Sequence, residues 1–193
     1  MLKLAITGGL SSGKSTVSAL LRERGCPVVD ADRLGHELLQ TEAHDAVLAR
    51  FGTVEPAQLA AIVFAPGATG ALGELNQILH PLIMARAWNQ LHQWQQQGTK
   101  VAGIEATLLI EAGLLTGFDH VILVAADPEV RIQRFMRKAG ASREQALARM
   151  AHQLPEERKL AQADIVISNK GTLAALAAEV GRLWNRFLAE ANA

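Results

Sequence analysis

The stretch Gly8-Gly9-Leu10-Ser11-Ser12-Gly13-Lys14-Ser15-Thr16 constrains the fold of this 193-residue chain more than any other. Residues 8–15 spell G-x-x-x-x-G-K-[ST], a loop whose backbone amides can surround phosphate oxygens. Residues 9–13 also spell G-x-S-x-G, the turn that exposes a serine nucleophile in α/β-hydrolases. Both readings need a strand before the glycines and a helix after them. Residues 2–6 form a short apolar run suited to a buried strand, and Val17, Leu20 and Leu21 recur at helical spacing within 14–24. The nucleophile reading further needs an upstream loop to complete an oxyanion hole. Six residues precede Thr7, which leaves that loop no room, so the expectation is phosphate binding.

In that reading the amides of residues 9–15 point inward, and the helix that follows adds unpaired donors and a positive dipole end. Bulky side chains would block the approach, which suits Gly8 and Gly13 to their places. Lys14 is expected to neutralise β/γ-phosphate charge, and the Ser15 hydroxyl to hold Mg²⁺. The pattern specifies a nucleotide and is silent on the acceptor.

Formal net charge is zero, so no global field draws the chain to nucleic acid or an anionic membrane. Cys26 is the single cysteine, which rules out an intramolecular disulfide and a C-x-x-C metal site. Met1-Leu2-Lys3 leads into Leu4-Ala5-Ile6, too short for a signal-peptide core, and no run of about 18 apolar residues occurs. The expected setting is a reducing cytoplasm, with neither nucleic acid nor membrane as partner.

Further short strands are predicted at Pro27-Val28-Val29-Asp30, at 100–105, at 120–125 and at 165–168, separated mostly by helical patterns. Strands alternating with helices imply an α/β fold with a mainly parallel sheet. No convincing strand lies between Asp30 and Lys100; 33–40, 43–51, 56–64 and 73–97 all read as helical, broken by a loop at 66–70. Pro81 is expected to kink or break the longest of these helices, and the glutamine-rich tract at 92–98 reads as its solvated end. This helical insertion is a natural substrate domain. A second, arginine-rich helical excursion spans about 128–162, and a closing helix carries Leu173, Leu176, Val180, Leu183 and Phe187 on one face.

Asp30-Ala31-Asp32 falls where the second strand ends, the edge at which open α/β sheets bind ligands. Either carboxylate could orient or deprotonate an attacking hydroxyl, or hold Mg²⁺ through water. Equally, Asp32 could cap a helix starting at Arg33. Glu105, ending the third strand, could support Mg²⁺ or simply face solvent, and Glu111 follows Leu108-Leu109-Ile110. The six histidines form no metal set, and His80 beside Pro81 suits a core or cap position as well as chemistry. Arg131, Arg134 and Lys138 share an arc of about 60° on one helix, with Arg137 beside it. They could form a lid over a transferring phosphate, or a solvated basic face.

Taken in order, the elements Thr7-Gly8-Gly9, Ser12-Gly13-Lys14-Ser15-Thr16, Val29-Asp30-Ala31-Asp32, Leu79-His80-Pro81-Leu82-Ile83 and Leu108-Leu109-Ile110-Glu111 resemble the dephospho-CoA kinase family. So do Phe118-Asp119, Arg134, Arg149 with Gln153, Ala163-Asp164, Ile167-Ser168-Asn169 and Gly171. The resemblance implies ATP-dependent phosphorylation of the ribose 3′-hydroxyl of dephospho-CoA, with ATP and Mg²⁺ on Gly9, Leu10, Ser11, Ser12, Gly13, Lys14, Ser15 and Thr16. It further implies a P-loop nucleoside-kinase-like, three-layer α/β core with a parallel sheet (1–32, 98–127 and 160–193), a helical CoA-binding insertion (33–97) and a helical lid (128–159). Asp32 matches the catalytic base, Asn169 and Gly171 the loop near adenine, and His80, Leu108 and Glu111 the acceptor region. Ser15 and Glu105 are the metal candidates, and Lys14 with Arg137 or Lys138 would serve the transferred phosphoryl. Three positions depart from the family pattern: Thr107 replaces a proline, Lys138-Ala139 replaces Arg-Asp, and residues 53–57 form a shorter turn without its arginine. The alternatives are another P-loop small-molecule kinase, or a nucleotide-binding regulatory protein without turnover.

Overall fold

The computed structural model describes residues 1–65 and 67–193, so the Pro66 end of the expected 66–70 loop lies outside the described residues. The chain divides into two compact units: Met1–Val29 with Leu91–Ala193, and Asp30–Gln90.

The first unit is α/β, as expected. A five-stranded sheet has the order β2-β3-β1-β4-β5, where β1 is Leu2–Gly8, β2 Val28–Asp30, β3 Val101–Glu105, β4 His120–Ala125 and β5 Ile165–Ser168. β1 is central and parallel to both neighbours, with Leu4 opposite Gly103 on one side and His120 on the other. A strand covered on both faces reads as a continuous apolar run rather than an alternating one, and Leu4, Ala5 and Ile6 are wholly buried. β5 is an edge strand and alternates instead, with Val166 and Ser168 exposed.

Helix α1 (Lys14–Arg22) and the closing helix α9 (Leu173–Ala191) join the sheet in one core through Val17, Leu21, Leu176, Val180 and Phe187. Leu173 departs from the expected apolar face and is 64% exposed. It is the first residue of α9, one turn ahead of Leu176, the first residue of α9 in that core.

The arginine-rich excursion folds as α6 (Pro128–Ala139), α7 (Arg143–Ala151) and α8 (Glu156–Leu160). α7 starts with a capping box: Ser142 Oγ accepts from Gln145 N–H at 3.2 Å and Gln145 Oε1 accepts from Ser142 N–H at 2.9 Å. Ile132, Phe135 and Ala146 pack together with Leu10, Met136 and Met150, which fastens this excursion to the glycine loop.

The second unit is helical: α2 (Ala31–Leu39), α3 (His44–Phe51), α4 (Pro56–Val63) and most of α5 (Ala71–Gln96). Its core gathers Leu38, Val47, Leu59, Val63, Leu75 and Leu79. α5 runs through Pro81 without the expected break. Proline removes one intrahelical hydrogen bond, the one Gln77 C=O would accept, but the apolar contacts of Leu75, Leu79, Leu82 and Ile83 hold the helix on either side. α5 ends as its sequence suggested. Thr99 N–H bonds to Trp94 C=O and Gly98 N–H to Gln95 C=O, both at 3.0 Å, around Gly98 at a φ of 83°. Among the described residues, no single helix is long and apolar enough to cross a membrane.

Candidate active site

β1 delivers the chain into the glycine loop, and α1 leaves it. A Cβ at Gly8 would strike Val124 C=O, and one at Gly13, the left-handed N-cap of α1, would strike the Asn169 amide. Ser11 is the one non-glycine with positive φ among the described residues, at 54°, so the loop carries backbone strain. Inside the loop, Ser12 N–H bonds to Gly9 C=O, while Thr16 and Val17 N–H both bond to Gly13 C=O, each at 3.1 Å. Residues 13–15 open α1, where helical geometry supplies no internal acceptor for the amides.

Lys14 is 7% exposed, and its ammonium donates to Gly8 C=O at 3.0 Å and Gly9 C=O at 3.3 Å. A buried cation beside helix-opening amides makes a concentrated positive site. Ser12 Oγ is buried without a hydrogen-bond partner among the described residues, an orphaned polar atom within the loop. These features fit a polyphosphate. Ser15, exposed in the first turn of α1, is the residue able to offer a hydroxyl to a metal ion bound to those phosphates.

A ring of side chains from distant segments braces the loop. Asn169 Nδ2 donates to Ser12 C=O at 2.8 Å, while Asn169 N–H is tied to Ala125 C=O at 2.8 Å. Arg134 donates to Ser12 C=O and to Asn169 C=O, each at 3.4 Å. Arg131 is 8% exposed and lies against Gly9, whose missing Cβ makes the space. Burial lowers the pKa of Arg131, opposed by the charges of Glu156 and Glu111.

Behind the loop, a small recess is lined by Gly9, Ser12, Val124, Arg131, Glu156 and Lys159. Lys159 Nζ lies 2.5 Å from Glu111 Oε1, with the two side chains 4% and 11% exposed. Glu111 Oε1 also accepts from Leu154 N–H at 3.3 Å. Removing one partner of a buried pair strands the other charge. Lys159→Met is therefore expected to cost about 3 kcal/mol in urea unfolding, with much of that recovered in Lys159→Met/Glu111→Leu. A loss below about 1 kcal/mol would mean that Glu111 is solvated once its partner is gone.

The structure thus brings together Gly9, Leu10, Ser11, Ser12, Gly13, Lys14, Ser15, Thr16 and Asn169. Glu105 is 6% exposed at the end of β3, in register with Ile6, so a solvated strand end is not its setting. Leu108 is half-buried in the turn after β3, and Gly171 is exposed in the turn before α9. Arg137 and Lys138 stand exposed in the last turn of α6, one turn beyond the arginines that reach the loop. Arg149 stacks over Phe135 at 5.2 Å.

Asp32 and His80 belong to the helical unit. Asp32 does not cap α2: the helix begins at Ala31, and Asp30 Oδ1 accepts from Arg33 N–H at 2.9 Å. Asp32 sits in the first turn instead, which removes the capping explanation for it. His80 lies within α5, where burial lowers its pKa. Sequence reasoning missed Lys159 and the part played by Gln153, since no periodicity marks either one. It assigned Arg131 and Arg134 to a lid face without foreseeing that both bond to the loop.

A parallel sheet whose central strand runs through this glycine loop into a helix defines a P-loop nucleotide-binding protein. The dephospho-CoA kinase family model matches residues 2–175. A dephospho-CoA kinase of Corynebacterium glutamicum is 37% identical over the whole of both chains. A solved Thermus thermophilus protein superposes with a TM-score of 0.77 at 32% identity, covering 98% of this chain and 97% of that one. Campylobacter jejuni dephospho-CoA kinase shares the fold with a TM-score of 0.61 at 23% identity, over 96% of each chain. The chain belongs to the dephospho-CoA kinase family.

Proposed function

We propose that this chain transfers the terminal phosphoryl group of ATP to the 3′-hydroxyl of dephospho-CoA. The loop carries the nucleotide half of the reading, with Lys14 buried at the Gly8 and Gly9 carbonyls beside the amides that open α1, and the family match over residues 2–175 supports the acceptor. Lys14 and those amides hold the triphosphate and offset charge on the oxygens between the β and γ phosphorus atoms. Ser15 would hold a Mg²⁺, with Glu105 in support from the end of β3, and the ion would supply charge neutralisation. Asp32 orients the acceptor hydroxyl and takes its proton as the new O–P bond forms and the β–γ bridge breaks, releasing ADP. Asn169 and Gly171 border the adenine, and Leu108 lies toward the acceptor.

In this reading residues 33–97 hold the CoA moiety, with His80 among them, and 128–159 act as a lid. Arg137 and Lys138 would stabilise the transferring phosphoryl as the lid closes and excludes water. Glu111 contributes by holding Lys159 and the Leu154 amide in place.

The test is ATP consumption by the purified protein with and without dephospho-CoA, with the product weighed by mass spectrometry. Acceptor-dependent ADP release and a mass gain of one phosphoryl group are expected. ATP binding with no turnover on dephospho-CoA would defeat the assignment.

A further inference from the structure

We propose that Gln153 is a positioning residue for the nucleotide, holding the Leu10 peptide in the shape the loop needs to receive phosphate. The proposal rests on the functional reading above. Gln153 Oε1 accepts two hydrogen bonds at 3.0 Å, one from Leu10 N–H and one from Arg131 Nη2. An amide oxygen has two lone pairs, and both are used here. Arg131 Nε closes the ring by donating to Leu10 C=O at 3.1 Å. Both peptide groups that flank the Leu10 Cα are therefore held, the first at its N–H by Gln153 and the second at its C=O by Arg131.

The grip has two consequences. Leu10 N–H is committed to Gln153, so the expectation that every amide of residues 9–15 points inward fails at residue 10. The Leu10 side chain packs against the Ile132, Phe135 and Ala146 cluster, so the crown of the loop is held by both polar and apolar contacts. Arg131, lying over Gly9, keeps its guanidinium beside the loop because Gln153 and Glu156 hold it there, the latter at 3.8 Å. Preorganisation of this kind spares the nucleotide the cost of ordering the loop on binding. Gln153 and Arg131 both belong to the arginine-rich excursion, so any displacement of that excursion releases the Leu10 peptide.

The experiment compares wild type, Gln153→Leu and Gln153→Glu in the full chain. The readouts are calorimetric titration with Mg·ATP, the NMR signal of the Leu10 amide, and steady-state kinetics. Leucine removes the acceptor at similar volume, whereas glutamate keeps an oxygen for both donors. Gln153→Leu is expected to raise the Kd for Mg·ATP about tenfold, as the loss of a part-buried junction of two hydrogen bonds implies. It should also shift the Leu10 amide and shorten its exchange lifetime, and raise the KM for ATP more than it lowers kcat. Gln153→Glu is expected to keep the Leu10 amide signal and to lose less ATP affinity than Gln153→Leu, its added charge facing Arg131. Unchanged ATP affinity in Q153L overturns the proposal, as does a Q153E protein impaired as much as Q153L. If Q153L does not fold, Q153E decides: a retained and protected Leu10 amide signal supports the proposal, and a Leu10 amide that loses its protection in folded Q153E overturns it. The titration needs no acceptor. A wild type that binds ATP but leaves dephospho-CoA untouched therefore defeats the acceptor assignment alone, and a wild type that binds no ATP removes the proposal with its basis.

Discussion

Lys14→Ala is expected to lower kcat/KM for ATP-dependent transfer by roughly 10²–10³-fold, the loss seen when one preorganised charge or donor is removed from a transferring group. The ammonium is buried and already aimed at the loop by the Gly8 and Gly9 carbonyls, so it meets phosphate without reorganisation. The alanine variant should still fold. Two carbonyls lose a donor, costing about 1–2 kcal/mol, while the penalty of burying a cation is relieved at the same time. The check is steady-state turnover with dephospho-CoA alongside thermal unfolding. Turnover within tenfold of wild type, from a folded variant, would take Lys14 out of the reaction.

Asp32→Asn is expected to reduce kcat by roughly 10²–10⁴-fold, the range for loss of a positioned proton acceptor. The Kd for Mg·ATP should change by less than about threefold, because the effect falls on the step and not on uniform binding. Asparagine keeps the size and hydrogen-bonding reach of the side chain but cannot take the proton. The structure supplies the control, since the capping duty in this D-A-D element belongs to Asp30. Asp30→Asn retains a good N-cap and should leave the fold intact, whereas Asp30→Ala should cost about 1 kcal/mol of stability. Asp32→Asn with unchanged turnover would exclude Asp32 as the base.

Much of the fold was legible along the chain. Residues 2–6 read as a buried strand because a central parallel strand is apolar on both faces, and Leu4, Ala5 and Ile6 are indeed wholly buried. The glycine loop was equally legible, because Gly8 and Gly13 answer a steric demand that any residue with a Cβ would fail. The Gly98 stop of α5 is local chemistry of the same kind.

Other features depended on what each residue meets in space. Pro81 satisfies every local criterion for a helix break, yet α5 continues because packing on both sides outweighs one missing hydrogen bond. Leu173 fits the apolar stripe of α9 and is nevertheless exposed, since a stripe does not say where the neighbouring surface begins.

The site divides along the same line. Lys14, Ser15 and Gly13 announce themselves by spacing, because a loop of this pattern works through consecutive backbone amides and their immediate neighbours. Lys159 has no such signature, and neither the helical arc that marks Arg131 nor the family pattern that includes Gln153 says what each one meets. Gln153 meets Leu10 across 143 positions and Arg131 meets it across 121, and both contacts arise only when a helical excursion folds back onto the loop. Periodicity and turn chemistry act over a few residues, so the sequence carries the loop. The bracing of the loop depends on which distant lone pairs and donors come within 3 Å or so of one another, and that is a property of the packed chain.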